Sequence, residues 1–284
     1  MSFGTIDVSR TKSKTALARH HERALRGELA RVAKPIPWDA FERGRYAEPA
    51  LALAGDLFTK LAMGEYSAVG LFSQITAGLA FTGAPLDIVA ASTRVGSDEI
   101  RHAEYCLRMA ELCTGGPVSV RIEHEALRAS VPAATNLANV DFLVFKYAAI
   151  GETLAAALLT ECRRRATDPV TRALFGSLAA DEVHHARLGW YYAAYRAPLF
   201  TLAERQELAD RVAEFVMGIE EEFWFGRDAP RSARGAAKAL GVLDSVTQRR
   251  VIADVVEGEI LGALDEVGLG TSLAWRARRR RARA

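Results

Sequence analysis

The chain has 284 residues, half of them apolar and a quarter charged, which is ordinary for a globular protein and long enough to bury a sizeable core. Six arginines fall in the closing "RARRRRARA"; without them the formal charge drops from +2 to −4, so the body is no basic nucleic-acid binder and the tail reads as a solvated end. Three cysteines without a CxxC exclude a disulfide scaffold and a zinc ribbon.

The N-terminal "MSFGTIDVSRTKSK" holds no apolar run fit for a signal peptide, and charges break up the later apolar stretches. The expectation is a cytoplasmic protein with no membrane partner and no nucleic-acid partner; a homodimer is compatible with the composition. Alanine, leucine, glutamate and arginine dominate, and breakers cluster between long segments, so the expected class is all-α. An arginine-rich amphipathic stretch over 15–33 ends at "KPIPW". A first long helix runs from about Pro49 to Phe81 and closes at "TGAP". A second follows Pro85 and ends at "CTGGP", after which 118–132 is a connection. A third covers about 134–166 and a fourth about 169–195, with "TDP" between them. Further helices occupy 201–226 and 232–265. The organisation predicts one domain: an N-terminal arm over 1–48, a four-helix core over 49–195, and a helical C-terminal extension over 196–284 packed on it.

The chemistry lies in two near-repeats, "SDEIRHAEYC" and "ADEVHHARLG". Positions i and i+3 share a helix face, so Glu99 with His102, and Glu182 with His185, can each address one metal ion. One ExxH is weak, but a matched pair on two apolar helices is specific. It demands bridging carboxylates from the other two helices. Glu65 in "AMGEYSAVG" and Glu152 in "AAIGETLAAALL" meet that demand: each is an acid among apolar and small neighbours, where an unpartnered carboxylate is expensive to bury. Glu65 precedes Glu99 by 34 residues and Glu152 precedes Glu182 by 30, an interval that returns an antiparallel helix pair to one depth. Both halves therefore read E…ExxH.

This pattern resembles the ferritin-like superfamily over about 49–195. The fuller cassettes "DEIRH" and "DEVHH" are similar to the DExRH motif of its oxygen-activating branch, the bacterial multicomponent monooxygenases and the aminobenzoate N-oxygenase type. The resemblance implies a four-helix bundle holding two iron ions, or a manganese–iron pair, on Glu65, Glu99, His102, Glu152, Glu182 and His185. Dioxygen would be co-substrate, an external donor would supply electrons, and a small organic molecule would be oxidised. It also implies that Asp98 and Asp181 each support a ligand histidine on the neighbouring helix. The sequence departs from the motif at His184, where arginine is usual, and at Leu178, where the N-oxygenase type has a further histidine; a seventh ligand is not expected.

Two classes compete. An oxygenase or oxidase would hydroxylate, N-oxygenate or desaturate a small molecule; a ferritin-type ferroxidase would oxidise and store iron itself. The long chain after the fourth helix and the symmetric cassettes favour the first. A ribonucleotide-reductase-like radical subunit needs a tyrosine beside the cluster, for which Tyr66 and Tyr105 are the candidates. The many alanines one turn from the ligands, Ala68, Ala155 and Ala156 among them, predict a cavity at the level of the site.

Overall fold

The computed structural model describes residues 36–118, 136–222, 237–272 and 275. The expected arm over 15–33, the body of the 118–132 connection and the arginine tail lie outside them. The described residues are mostly helical and contain no strand. Helix α1 spans Glu48–Phe81, α2 Leu86–Thr114, α3 Leu137–Arg165, α4 Pro169–Arg196 and α5 Leu202–Glu222. Helix α6, Ser245–Val255, continues through a π-helical stretch, Val256–Ile260, into α7, Leu261–Glu266.

The ends are set by local chemistry. Pro49 and Pro169 sit in the first turns of α1 and α4, where a missing N–H removes no helical bond. The Asp168 carboxylate accepts from the Val170 and Thr171 N–H groups, and Asn136 caps α3 in the same way. Thr201 and Glu204 form a reciprocal capping box at α5. Gly83 and Gly115 close α1 and α2 in left-handed backbone, φ 77° in each, which a side chain would strain. Within the helical region expected over 232–265, Gly241 turns at φ 83° and Asp244 caps a new start by accepting from Thr247 N–H.

α1 and α2 form one helical hairpin, α3 and α4 another, and the hairpins join through α2 and α4. α1 meets α3 chiefly at Leu137–Leu143, and beyond that the two diverge. α6 packs on the second half of α3, Glu152–Arg165. Two apolar clusters result. One gathers Phe58, Met109, Leu154 and Phe175, with Phe58 and Phe175 stacked at 5.3 Å; the other gathers Phe72, Ile75, Ile88, Val140 and Tyr192. The candidate site lies between them.

α3 corrects one expectation. It is long and apolar enough, at mean hydropathy 1.6, to cross a membrane, because Lys146 and Glu152 are its only charges between Asp141 and Glu161. Two-thirds of that stretch (67%) is buried inside the protein, as the core helix of a packed domain would be.

Candidate metal centre

The six residues singled out by spacing come together. Glu65, Glu99, His102 and Glu182 offer ligand atoms that lie within 4.8 Å of one another, and so do Glu99, Glu152, Glu182 and His185. Glu99 and Glu182 belong to both groups. Glu65 and Glu152, expected to bridge, each belong to one group only. The reason is packing: α2 and α4 touch along the cassette face, whereas α1 and α3 stand apart at this level.

Both histidines present Nδ1 to the interior and Nε2 outward. His102 Nδ1 is 3.2 Å from Glu182 Oε1 and 3.5 Å from Glu99 Oε2; His185 Nδ1 is 2.8 Å from Glu182 Oε2 and 3.2 Å from Glu99 Oε1. His102 Nε2 lies 3.2 Å from Asp181 Oδ2, and His185 Nε2 3.2 Å from Asp98 Oδ2. Each aspartate therefore holds the histidine of the opposite cassette, which fixes ring orientation and leaves Nδ1 basic. Arg101 Nη2 spans the two, 2.7 Å from Asp98 and 2.9 Å from Asp181.

The donor set fits a cation pair. His102 Nδ1 and Glu99 Oε1 are buried and make no hydrogen bond, although each has a partner atom at 3.2 Å. Both atoms stand within the carboxylate cluster without the alignment that a hydrogen bond needs. Four carboxylates and two imidazoles are the mixed oxygen and nitrogen donors that suit divalent iron or manganese.

Electrostatics divide the ligands. Burial opposes a charge on every one of them. It pushes the Glu65 carboxyl up to about 8, and Glu152 well above the carboxylate range, helped by Glu182 and Glu99. Burial also acts on Glu99 and Glu182, but contacts with His102 and His185 overcome it and hold both below the ordinary value. Burial would lower both histidines; the surrounding glutamates, with Asp98 beside His185, raise them well above 6.5 instead. Without metal, His102, His185, Glu65 and Glu152 thus hold their protons more tightly than in water, and Glu99 and Glu182 less tightly.

A cavity of about 480 Å³ opens on the glutamates where α1 and α3 diverge. Its walls include Leu61, Ala68, Phe72, Ala155 and Leu158. Ala155 faces it as the sequence predicts, but Ala156 lines a separate groove on the far side of α3 with Trp190 and Val251. Tyr66 is 60% exposed, and Tyr105 packs edge-on against Trp38 at 5.8 Å. Leu178 is fully buried in the larger apolar cluster and adds no donor.

Sequence reasoning did not find the π-helical stretch Val144–Gly151, which ends immediately before Glu152. Such a stretch widens the backbone and re-aims the side chains that follow. Thr153 Oγ donates to the Ala149 carbonyl at 2.6 Å and accepts from Trp190 Nε1 at 2.9 Å, which ties the irregular turn to α4. Gly189 on α4 is the one signal that could have marked it. A Cβ there would stand 2.2 Å from the Ala149 nitrogen, so the two backbones are in contact.

No protein-family model matches this chain, and neither does any curated protein.

Proposed function

We propose that the chain is a non-haem di-iron oxygenase or oxidase, built on a ferritin-like four-helix bundle, that uses dioxygen to oxidise a small organic molecule. The observation that carries this reading is the apolar cavity opening directly on the glutamates of the donor set. A site that only passes iron has no use for such a chamber, whereas a reaction on an organic molecule needs a dry, shaped space beside the reactive centre.

Glu99 and Glu182 would be shared between two ions, with Glu65 and His102 completing one and Glu152 and His185 the other. Bound there, an iron pair would supply the electrons and open coordination positions for dioxygen activation. The chain's own residues do the rest. Asp98 and Asp181 keep each imidazole in the tautomer that frees Nδ1. Arg101 offsets the charge of those two carboxylates. Leu61, Ala68, Phe72 and Leu158 exclude water and present a substrate to the face formed by Glu65 and Glu152. Electrons for further turnovers would come from an external donor.

Anaerobic Fe(II) loading followed by exposure to air tests the proposal. Binding should stop at about two ions per chain, and uptake at about one dioxygen per reduced pair until electrons are resupplied. Uptake of tens of ions into a many-subunit particle would instead identify an iron store.

A further inference from the structure

The cavity has two ends. Along α3 it runs from Tyr147, past Glu152 and Ala155, to Cys162. The stretch from Glu152 to Cys162 is about 15 Å at 1.5 Å per residue. α1 lines it in the opposite sense, from Phe72 to Leu57, and the Cys162 end is closed by Leu243 and Gln248 from the C-terminal segment. Gln248 lies in the first turn of α6, which packs on this part of α3.

Three facts set Gln248 apart. It is a polar side chain, only 6% exposed, that lines the cavity. Its backbone N–H donates to the Asp244 carbonyl, and its side-chain amide has no protein hydrogen bond among the described residues. Ser67, a hydroxyl on the α1 wall, already donates to the Met63 carbonyl. The amide is open to the cavity and not sealed in protein, so its donors and its acceptor are available to a polar group bound there. Among the described residues the charged side chains lining the cavity are the four glutamates of the donor set, so its apolar far end offers no cation to an anionic group.

We infer that Gln248 is a specificity-determining residue that hydrogen-bonds a neutral polar group at the far end of an elongated, otherwise apolar substrate, whose near end lies at Glu65 and Glu152. The inference rests on the cavity being the substrate site of the proposed oxidation. An amide both donates and accepts, so a primary amide or a hydroxyl satisfies it, whereas a carboxylate leaves the NH₂ paired but the carbonyl facing a charge.

Binding to the metal-free chain tests this without turnover. Octanamide, octanoate and octyl chloride would be titrated at neutral pH by displacement of an apolar fluorescent reporter. Octanamide should bind at least about tenfold tighter than octanoate, and Gln248→Leu should remove about tenfold of octanamide affinity while leaving octyl chloride unchanged or tighter. Gln248→Met, closer in shape, should behave as Leu does and guards against a packing artefact; unchanged melting of either variant confirms the fold. Equal binding of octanoate and octanamide, no binding of either, or octanamide affinity within about twofold in both variants overturns the inference. If octanamide binds with this preference yet iron-loaded protein oxidises nothing, the oxygenase reading fails and the Gln248 assignment stands. Oxidation of substrates indifferent to the Gln248 variants sustains the oxygenase reading and overturns the Gln248 assignment.

Discussion

The two helical hairpins carry the same ligand string at the same depth, yet they are packed by different means. Gly55 on α1 faces Cys113 on α2, with an added Cβ 3.6 Å from the thiol carbon, so antiparallel register puts Ala62 opposite Cys106. Ala62 is one turn before Glu65 and Cys106 one turn after His102. At the matching place in the other hairpin, Ala149 meets Gly189, one turn before Glu152 and one turn after His185. The first pair is regular α-helix filled by a buried thiol. The second is a π-helical turn pressed onto bare backbone. Two sequences can thus deliver equivalent ligands through unlike backbones, and the irregular hairpin holds the divergent wall of the cavity.

Removing a ligand breaks the equivalence most sharply. Glu99→Ala or Glu182→Ala deletes a carboxylate common to both groups and should abolish most binding of both ions, a loss of more than about 100-fold. Glu65→Ala or Glu152→Ala should leave about one ion per chain, on opposite hairpins. Elemental analysis after anaerobic reconstitution decides. If Glu65→Ala empties the site as thoroughly as Glu182→Ala, the sharing is misassigned.

Protons offer the next test. Glu65, Glu152, His102 and His185 all hold protons more firmly in the metal-free fold than in water. Each must give up its proton to ligate, so the sign is fixed: affinity rises with pH, and loading near neutrality releases protons until pH passes about 8 for Glu65. Calorimetry in two buffers of different ionisation enthalpy counts them. Each proton changes affinity by about tenfold per pH unit, and a flat affinity between about pH 6 and 8 would contradict the site's charge pattern.

Gly189 distinguishes the hairpins without metal. Gly189→Ala drives a Cβ into the Ala148–Ala149 backbone and should destabilise by about 3 kcal/mol or split α3 from α4, since backbone cannot rotate away. Cys106→Ala, its counterpart, only removes a buried sulfur and should cost about 1 kcal/mol. Denaturant melts of the two variants compare them directly; near-equal values would mean the π turn is not held by that contact.

Much of the site was legible because ligand chemistry has a periodicity. The i, i+3 spacing fixes a face, and the intervals of 34 and 30 residues fix a depth, so the six residues whose donor atoms cluster and the two aspartates beside the histidines could be named from the sequence. Spacing does not say which helices touch. That Glu99 and Glu182 are shared follows from the α2–α4 contact, a tertiary fact. The π turn was hidden because "VFKYAAIG" reads as an ordinary α-helix; the structure shows it pressed against Gly189, and a helical glycine otherwise reads as a mere propensity cost. Ala155 and Ala156 looked alike for the same reason, since adjacent helical positions point about 100° apart and α1 diverges on one side alone.

The smallest effect separates the two aspartates. Each makes the same 3.2 Å contact to a histidine and shares Arg101, so Asp98→Asn and Asp181→Asn should both weaken metal binding by about 10- to 100-fold with the fold intact. Their surroundings differ. The Asp181 side chain is 5% exposed and Asp98 29%, so water can replace a lost acceptor beside His185 more readily than beside His102. Asp181→Asn should therefore lie toward the upper end of that range and Asp98→Asn toward the lower. An asparagine can also donate to the imidazole and turn its proton toward Nδ1, and the drier site has no solvent to reverse the tautomer. The order of the two metal affinities, read by competition with a chromophoric chelator, tests burial against geometry. Were Asp98→Asn the weaker binder, the hairpin with the open side would be the one that depends more on its supporting carboxylate, and exposure would not be what sets the strength of the support.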